Sequence, residues 1–187
     1  QTFRSVTATH GAEEMTEREF DHHTSLVVTP ADGRIPPLTA AAQRRRDAAA
    51  SAGQRPEGPE SLNNALRCIA WGTPRLGGRY GAGDYGFSQI VQSPGYVMIH
   101  YEIGHDARII PLDGRPHPSE NALHTWAGFS TGKWEGDTLV ITTTHLKEGW
   151  VRRNGLPRSD QAVLTEYFIR NDDYLTLVTV VDDPVYL

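Results

Sequence analysis

PGYVMIHYEIGHDARIIPLDGRPHPSENALHTWAGFSTGKWEGDTLVITTT, Pro94 to Thr144, decides the fold. Its apolar residues alternate with polar ones at a period of two, the pattern of half-buried strands. Pro94-Gly95, Asp113-Gly114 and Glu135-Gly136-Asp137 interrupt the alternation with tight-turn residues. The stretch also sets His100, Glu102, His105, Asp106, Arg108, Asp113, His117 and Asp137 among strand formers, an arrangement that is costly unless the polar groups satisfy one another.

Working outward, the same period predicts strands over Phe87–Gln92, Tyr96–Ile103, Ala107–Leu112, Thr125–Trp134, Thr138–His145, Ala162–Arg170 and Tyr174–Asp182, with Asn171-Asp172-Asp173 as a further turn. Consecutive hairpins without intervening helices describe an antiparallel meander, and closure would remove its edges. The expected fold is therefore mainly β: a calycin/lipocalin-like barrel of roughly seven to nine strands, with a strongly bent open sheet as the alternative.

Upstream, residues 1–38 show no sustained period and read as an extended arm, with Ser25–Thr29 as an edge strand. Thr39 caps an alanine-rich helix reaching Ala52, whose only apolar face is alanine, so it packs shallowly or against a partner. Ser61 caps a second short helix carrying Leu62, Ala65, Leu66 and Ile69 on one face. Residues 1–60 thus form the arm and alanine-rich helix, and 61–187 a helix plus barrel, together one globular unit.

Composition bounds the function. A net charge of −5 over 187 residues gives no electrostatic case for nucleic acid. No apolar run is long enough for a membrane span. The lone Cys68 excludes an internal disulfide framework and a cysteine-rich zinc site. Homo-oligomerisation stays open.

Two chemistries compete for the polar stretch. His100, Glu102 and His105, with His117 or His124, contain ligand types for a metal, but H-x-E-x-x-H on a strand lacks the helical ligand spacing. The preferred reading is free of metal and cofactor. His105 serves as general base or acid with Glu102 as its partner, Asp106 and His117 complete the set, and Arg108 or Arg115 holds an anion. The structural alternative is an ion-pair network that fixes the turn before Pro111. Tyr85 from the glycine-rich 75–86 loop, Tyr96, Met98, His100, Trp126 and Trp150 are the expected ligand contacts. On the Tyr96–Ile103 strand, the mixed face of Tyr96, Met98, His100 and Glu102 is expected to line the cavity. Val97, Ile99, Tyr101 and Ile103 are expected to face outer helices or another layer.

The words DGRIPPLTAAAQRR, RLGGRYGAGDYGFSQIVQSPGY, HDARIIPLDGRPHP and WAGFSTGKWEGDTLVITTTH occur here in order between Asp32 and Pro184. As a group they resemble a large family of uncharacterised, mostly exported bacterial proteins abundant in acidobacteria and sphingomonads. The positions matching Glu102, His105, Asp106, Arg108, Asp113, Gly114, Arg115, Pro116 and His117 form that family's signature; His100 is not part of it. The resemblance implies a periplasmic or secreted protein, a signal peptide removed before Gln1, and a chain that continues beyond Leu187. It implies no particular activity.

These readings converge on a small, partly apolar organic molecule as partner. The first expectation is a lyase, hydratase or isomerase acting in a barrel cavity. The alternative is a non-catalytic periplasmic binding or carrier protein, and a third reading, an assembly module using the arm and alanine-rich helix, ranks below both.

Overall fold

The computed structural model describes residues 2–9, 25–62, 67, 73, 88–102, 105–152 and 156–187. In chain order the elements are β1 (Thr2–Thr9), β2 (Val27–Thr29), α1 (Ala40–Gln54), a 3-10 turn at Pro59–Ser61, β3 (Ser88–Ser93), β4 (Tyr96–Tyr101), β5 (Asp106–Pro111), β6 (Phe129–Glu135), β7 (Thr138–Thr144), β8 (Gly149–Arg152), β9 (Leu156–Arg158), β10 (Val163–Asn171) and β11 (Tyr174–Asp182). The second helix after Ser61, Cys68, and the 75–86 loop with Tyr85 lie wholly or mainly outside the described residues.

The turns set the hairpins. Gly95 at φ +78° closes β3–β4, Gly136 at φ +59° closes β6–β7, and Asp172 at φ +50° closes β10–β11. Glycine takes that left-handed region without steric cost, and aspartate tolerates it better than most residues. All three pairs are antiparallel, as the alternation predicted.

The mainly antiparallel character is as read, but among the described residues no barrel closes. The strands form a six-stranded sheet ordered β2-β1-β11-β10-β7-β6, a three-stranded sheet β3-β4-β5 and the separate hairpin β8-β9. β1 also departs from the expected arm: it pairs along its whole length with β11, from Thr2 opposite Asp182 to Thr9 opposite Leu175, and lies inside the large sheet.

The small sheet packs on the large one through Val97 and Ile99 of β4, Ile110 of β5, and Leu139 and Ile141 of β7. The apolar face of β4 thus meets another layer, one of the two expected surroundings, and the correction concerns the mixed face. Val97 and Ile99 are fully buried, whereas Tyr96 is 40% exposed and Met98 and His100 are partly exposed. Removing an isoleucine or valine side chain from water contributes about 1.5–3 kcal/mol, so the apolar face goes inward and the mixed face does not line an interior. Gly132 makes the contact close: a Cβ there would lie 2.8 Å from a Leu112 methyl and 3.0 Å from Ile110.

A second cluster, Leu146, Val151, Leu164, Val181 and Tyr186, fills the other end of the large sheet. It gathers the chain's last residues and the start of α1. Leu38 bridges Tyr186, the Thr39 amide donates to the Val185 carbonyl at 2.9 Å, and the Thr39 hydroxyl accepts from the Ala42 amide at 3.3 Å. Among the described side chains of α1 only Ala42 is buried, so the helix packs shallowly, as its alanines predicted. None of the described helices is long and apolar enough to cross a membrane.

Candidate functional site

The residues of the 100–117 stretch go to three different places. Arg108 enters the core between the two sheets. Its Nη2 donates to Glu166 Oε2 at 2.7 Å and to Ser130 and Thr143 hydroxyls at 3.1 Å, and its Nη1 donates to Glu166 Oε1 at 3.3 Å and the Tyr101 hydroxyl at 3.4 Å. Burial alone would lower this guanidinium, but Glu166, with Tyr101, reverses the effect and holds it above its ordinary range. Arg108 is therefore sealed against a carboxylate of its own chain.

Arg115 is on the surface. It clamps Asp113 and reaches the Tyr96 hydroxyl at 3.1 Å, and this clamp holds the Asp113 carboxyl down at about 2. His105 is exposed at the β4–β5 turn, at φ +48°, where its amide donates to the Glu102 carbonyl at 3.4 Å; Asp106 opens β5 beside it.

His117 lies on the opposite face of the large sheet from Arg108. Its Nδ1 is 2.7 Å from the Thr144 hydroxyl and its Nε2 2.8 Å from the Thr131 hydroxyl. Thr144 also meets His145 Nδ1 at 2.7 Å, and His145 Nε2 meets the Ser119 carbonyl at 2.8 Å. The tautomers follow from donor counting. A carbonyl only accepts, so His145 carries its proton on Nε2 and Nδ1 accepts from Thr144. The Thr144 oxygen then accepts from His117 Nδ1–H, and His117 Nε2 accepts from Thr131. With both imidazoles neutral, each hydroxyl and ring nitrogen in the chain has one role. Desolvation, followed by the proximity of His145, lowers His117 below the ordinary histidine range. The network ties the 117–119 loop to β6 and β7 and leaves no ring nitrogen of His117 or His145 for a reacting atom.

Of the six residues expected to act together, Glu102, His105 and Asp106 share the β4–β5 turn, while Arg108, Arg115 and His117 lie apart from it. Two of the expected ligand contacts are brought together. Trp126 and Trp150 both line a cleft of about 370 Å³, with Ala42, Arg45, Arg46 and Ala49 of α1 on one side and Gly149, Pro157, Arg158 and Ser159 of the β8–β9 region on the other. The four α1 residues recur at helical spacing, so one face of the helix forms the wall. Arg45 pairs with Glu148 across the two sides, both well exposed. The Lys147 ammonium lies 5.7 Å from the centroid of the Trp126 ring.

Arg158, 1% exposed, organises the floor. Its Nη1 donates to the Thr73 carbonyl, and its Nη2 to the Lys147 carbonyl at 2.7 Å. Thr73 in turn holds the tryptophan turn: its amide donates to the Trp126 carbonyl at 3.2 Å and its hydroxyl to the Ala127 carbonyl at 3.2 Å. Gly128 completes that turn at φ +70°, where a Cβ would stand 2.5 Å from the Thr144 carbonyl oxygen. No other residue fits there.

Arg158 has no carboxylate within ion-pair distance among the described residues, and its buried Nε has no hydrogen-bond partner. The nearest influential acid is Asp183, whose oxygens accept from the Ser159 amide at 2.7 Å, the Ser159 hydroxyl at 2.8 Å and the Val185 amide at 3.1 Å. Desolvation pulls the guanidinium down to about 10, and Asp183 offsets only part of that. Sequence reasoning missed Arg158, Gly149 and α1's arginines as site residues. Arginine next to Pro157 at a strand end carries no signal of burial.

Among the described residues no group of three or more histidine, cysteine or acidic side chains is placed to hold a metal. The fold and cleft define an antiparallel β protein with a half-open, tryptophan-walled cleft. No family model, curated protein or solved structure matches the chain.

Proposed function

We propose that this chain is a small-molecule binding or carrier protein whose partly apolar organic ligand occupies the cleft between α1 and the β8–β9 hairpin. The observation that carries this reading is the convergence of Trp126 and Trp150, from separate segments, on one cleft of about 370 Å³. That volume is at the lower end of the range for small-molecule sites, and two indole walls above a few polar groups is their usual composition. An exported setting, implied by the sequence resemblance, belongs to the same reading.

Binding is favoured over lyase, hydratase or isomerase chemistry by the lining itself. Among the described residues it holds no histidine, and the one carboxylate, Glu148, is engaged by Arg45. A general acid or base has to reach the reacting proton at about 2.6–3.2 Å. The test is native mass spectrometry of gently purified full-length chain, followed by Trp126→Ala and Trp150→Ala. Retention of an unchanged organic molecule by the parent, and its loss from both variants, supports the reading. Turnover of the retained molecule, or retention unaffected by either variant, overturns it.

A further inference from the structure

β3, with the sequence SQIVQS, is the outer strand of the small sheet, and among the described residues nothing pairs with its outer edge. All six of its residues are exposed. The register sets Ile90 opposite Ile99, on the face turned toward the large sheet, and Val91 opposite Met98, on the other face. Both are nevertheless 39% exposed, because the core between the sheets takes its residues from β4, β5 and β7 and none from β3. The strand overhangs, with both faces and one edge in water. We propose that a second copy of this chain pairs with it, β3 antiparallel to β3 about a two-fold axis, joining two three-stranded sheets into one of six.

The turn decides which backbone groups face outward. Pro94-Gly95 is a two-residue loop with Ser93 opposite Tyr96. In such a hairpin the residues flanking the loop form a hydrogen-bonded pair, and bonding alternates from there. Ser93, Val91 and Gln89 therefore bond to β4, while the N–H and C=O groups of Gln92, Ile90 and Ser88 point away from it. This set is symmetric about Ile90. With Ile90 opposite its counterpart, each Ser88 falls opposite a Gln92, and every outward-facing residue enters a hydrogen-bonded pair. Moving the axis one residue either way leaves Ser88 or Gln92 with no strand residue opposite. The side chains agree with that register on the inner face, isoleucine meeting isoleucine at the axis and serine meeting glutamine on either side.

Composition selects the occupant. Edge strands escape pairing through lysine, proline, a bulge or an inward-pointing charge. β3 has no charged residue and no proline, and its ladder with β4 runs without a register shift. Two copies of a chain of net charge −5 repel one another in general, and like charges set opposite each other destabilise a strand pair. An uncharged edge is the part of such a chain that can meet itself, and it offers nothing to attract a charged foreign strand. The tryptophan-walled cleft takes no residue from β3, so the pairing stands or falls apart from the ligand.

Sedimentation velocity of the full chain, from low to high micromolar concentration, tests the pairing beside two variants. Ile90→Lys sets two ammonium groups opposite each other at the axis. Gln92→Pro removes one outward N–H from each strand and leaves the bonds to β4 in place. The parent should show a reversible monomer–dimer equilibrium with no larger species. Gln92→Pro should raise the dissociation constant about ten-fold or more, as the loss of two hydrogen bonds requires, and Ile90→Lys should stay monomeric throughout. Far-ultraviolet circular dichroism of both variants should match the parent; if Ile90→Lys fails to fold, Gln92→Pro alone decides. A parent that remains monomeric overturns the proposal. An unchanged dissociation constant in either folded variant overturns the placement on β3, and assembly beyond the dimer overturns the closed two-fold pair.

Discussion

Arg108 and Arg158 are both withdrawn from water, 3% and 1% exposed, yet their surroundings differ in one respect. Arg108 faces Glu166, which contacts it through both carboxylate oxygens, and three hydroxyls, of Ser130, Thr143 and Tyr101, join it. Arg158 faces two backbone carbonyls, and the nearest influential acid, Asp183, is engaged by Ser159 and Val185. The same desolvation acts on both. It is reversed at Arg108, and it wins at Arg158. A buried cation whose counter-ion is built in keeps its charge and holds two sheets together; one held by backbone carbonyls is pulled toward its neutral form by burial.

The largest expected effect breaks the first half of this comparison. Arg108→Ala leaves Glu166 buried and unpaired, and should cost about 3–5 kcal/mol in denaturant unfolding. Replacing both partners at once, as Arg108→Met with Glu166→Leu, should restore most of that loss or exceed the parent's stability, because an apolar pair does not need to be desolvated. An additive double variant would mean that the pair is not coupled.

A smaller effect sharpens the second half. Arg158→Gln removes charged donors from two carbonyls but also removes an unpaired buried charge, so its cost should be about 1–3 kcal/mol, below that of Arg108→Ala.

Much of the framework was legible in the chain. Pro94-Gly95, Gly136-Asp137 and Asp172-Asp173 announced their hairpins because turn chemistry is local, and Thr39 announced α1 for the same reason. Trp126 and Trp150 were legible as pocket-wall types, and both line the one cleft described. What was not legible depended on long-range packing. β1 shows no period to read in its sequence, and its place inside the sheet comes from pairing with β11 at the far end of the chain. The polar 100–117 stretch looked like one site because its residues are close in sequence. A strand and its turn instead send Arg108 inward, Arg115 outward and His117 across the sheet. Arg158 draws its partners from Lys147 and from Thr73, 11 and 85 residues away, and no spacing rule reaches that far.

The smallest expected effect concerns the neutral histidine chain, the polar cluster on the other face. His117 titrates below its ordinary value of 6.5, so the unfolded chain takes up that proton first as the pH falls. Between 6.5 and the folded value the unfolded state binds more protons, and stability declines with falling pH before levelling off. Unfolding free energies at a series of pH values should show this slope in the parent and a flatter line in His117→Asn. Identical slopes would contradict the all-neutral network.

The most direct test of the central contrast is a nitrogen–proton NMR titration that follows the two buried arginine Nε–H resonances, with Arg158 assigned by loss of its peak in Arg158→Lys. Raising the pH to about 10 should move the Arg158 resonance and leave that of Arg108 in place, because Arg108 has a carboxylate against its guanidinium and Arg158 has two carbonyls. Movement of neither resonance, or of Arg108 alone, would contradict the account.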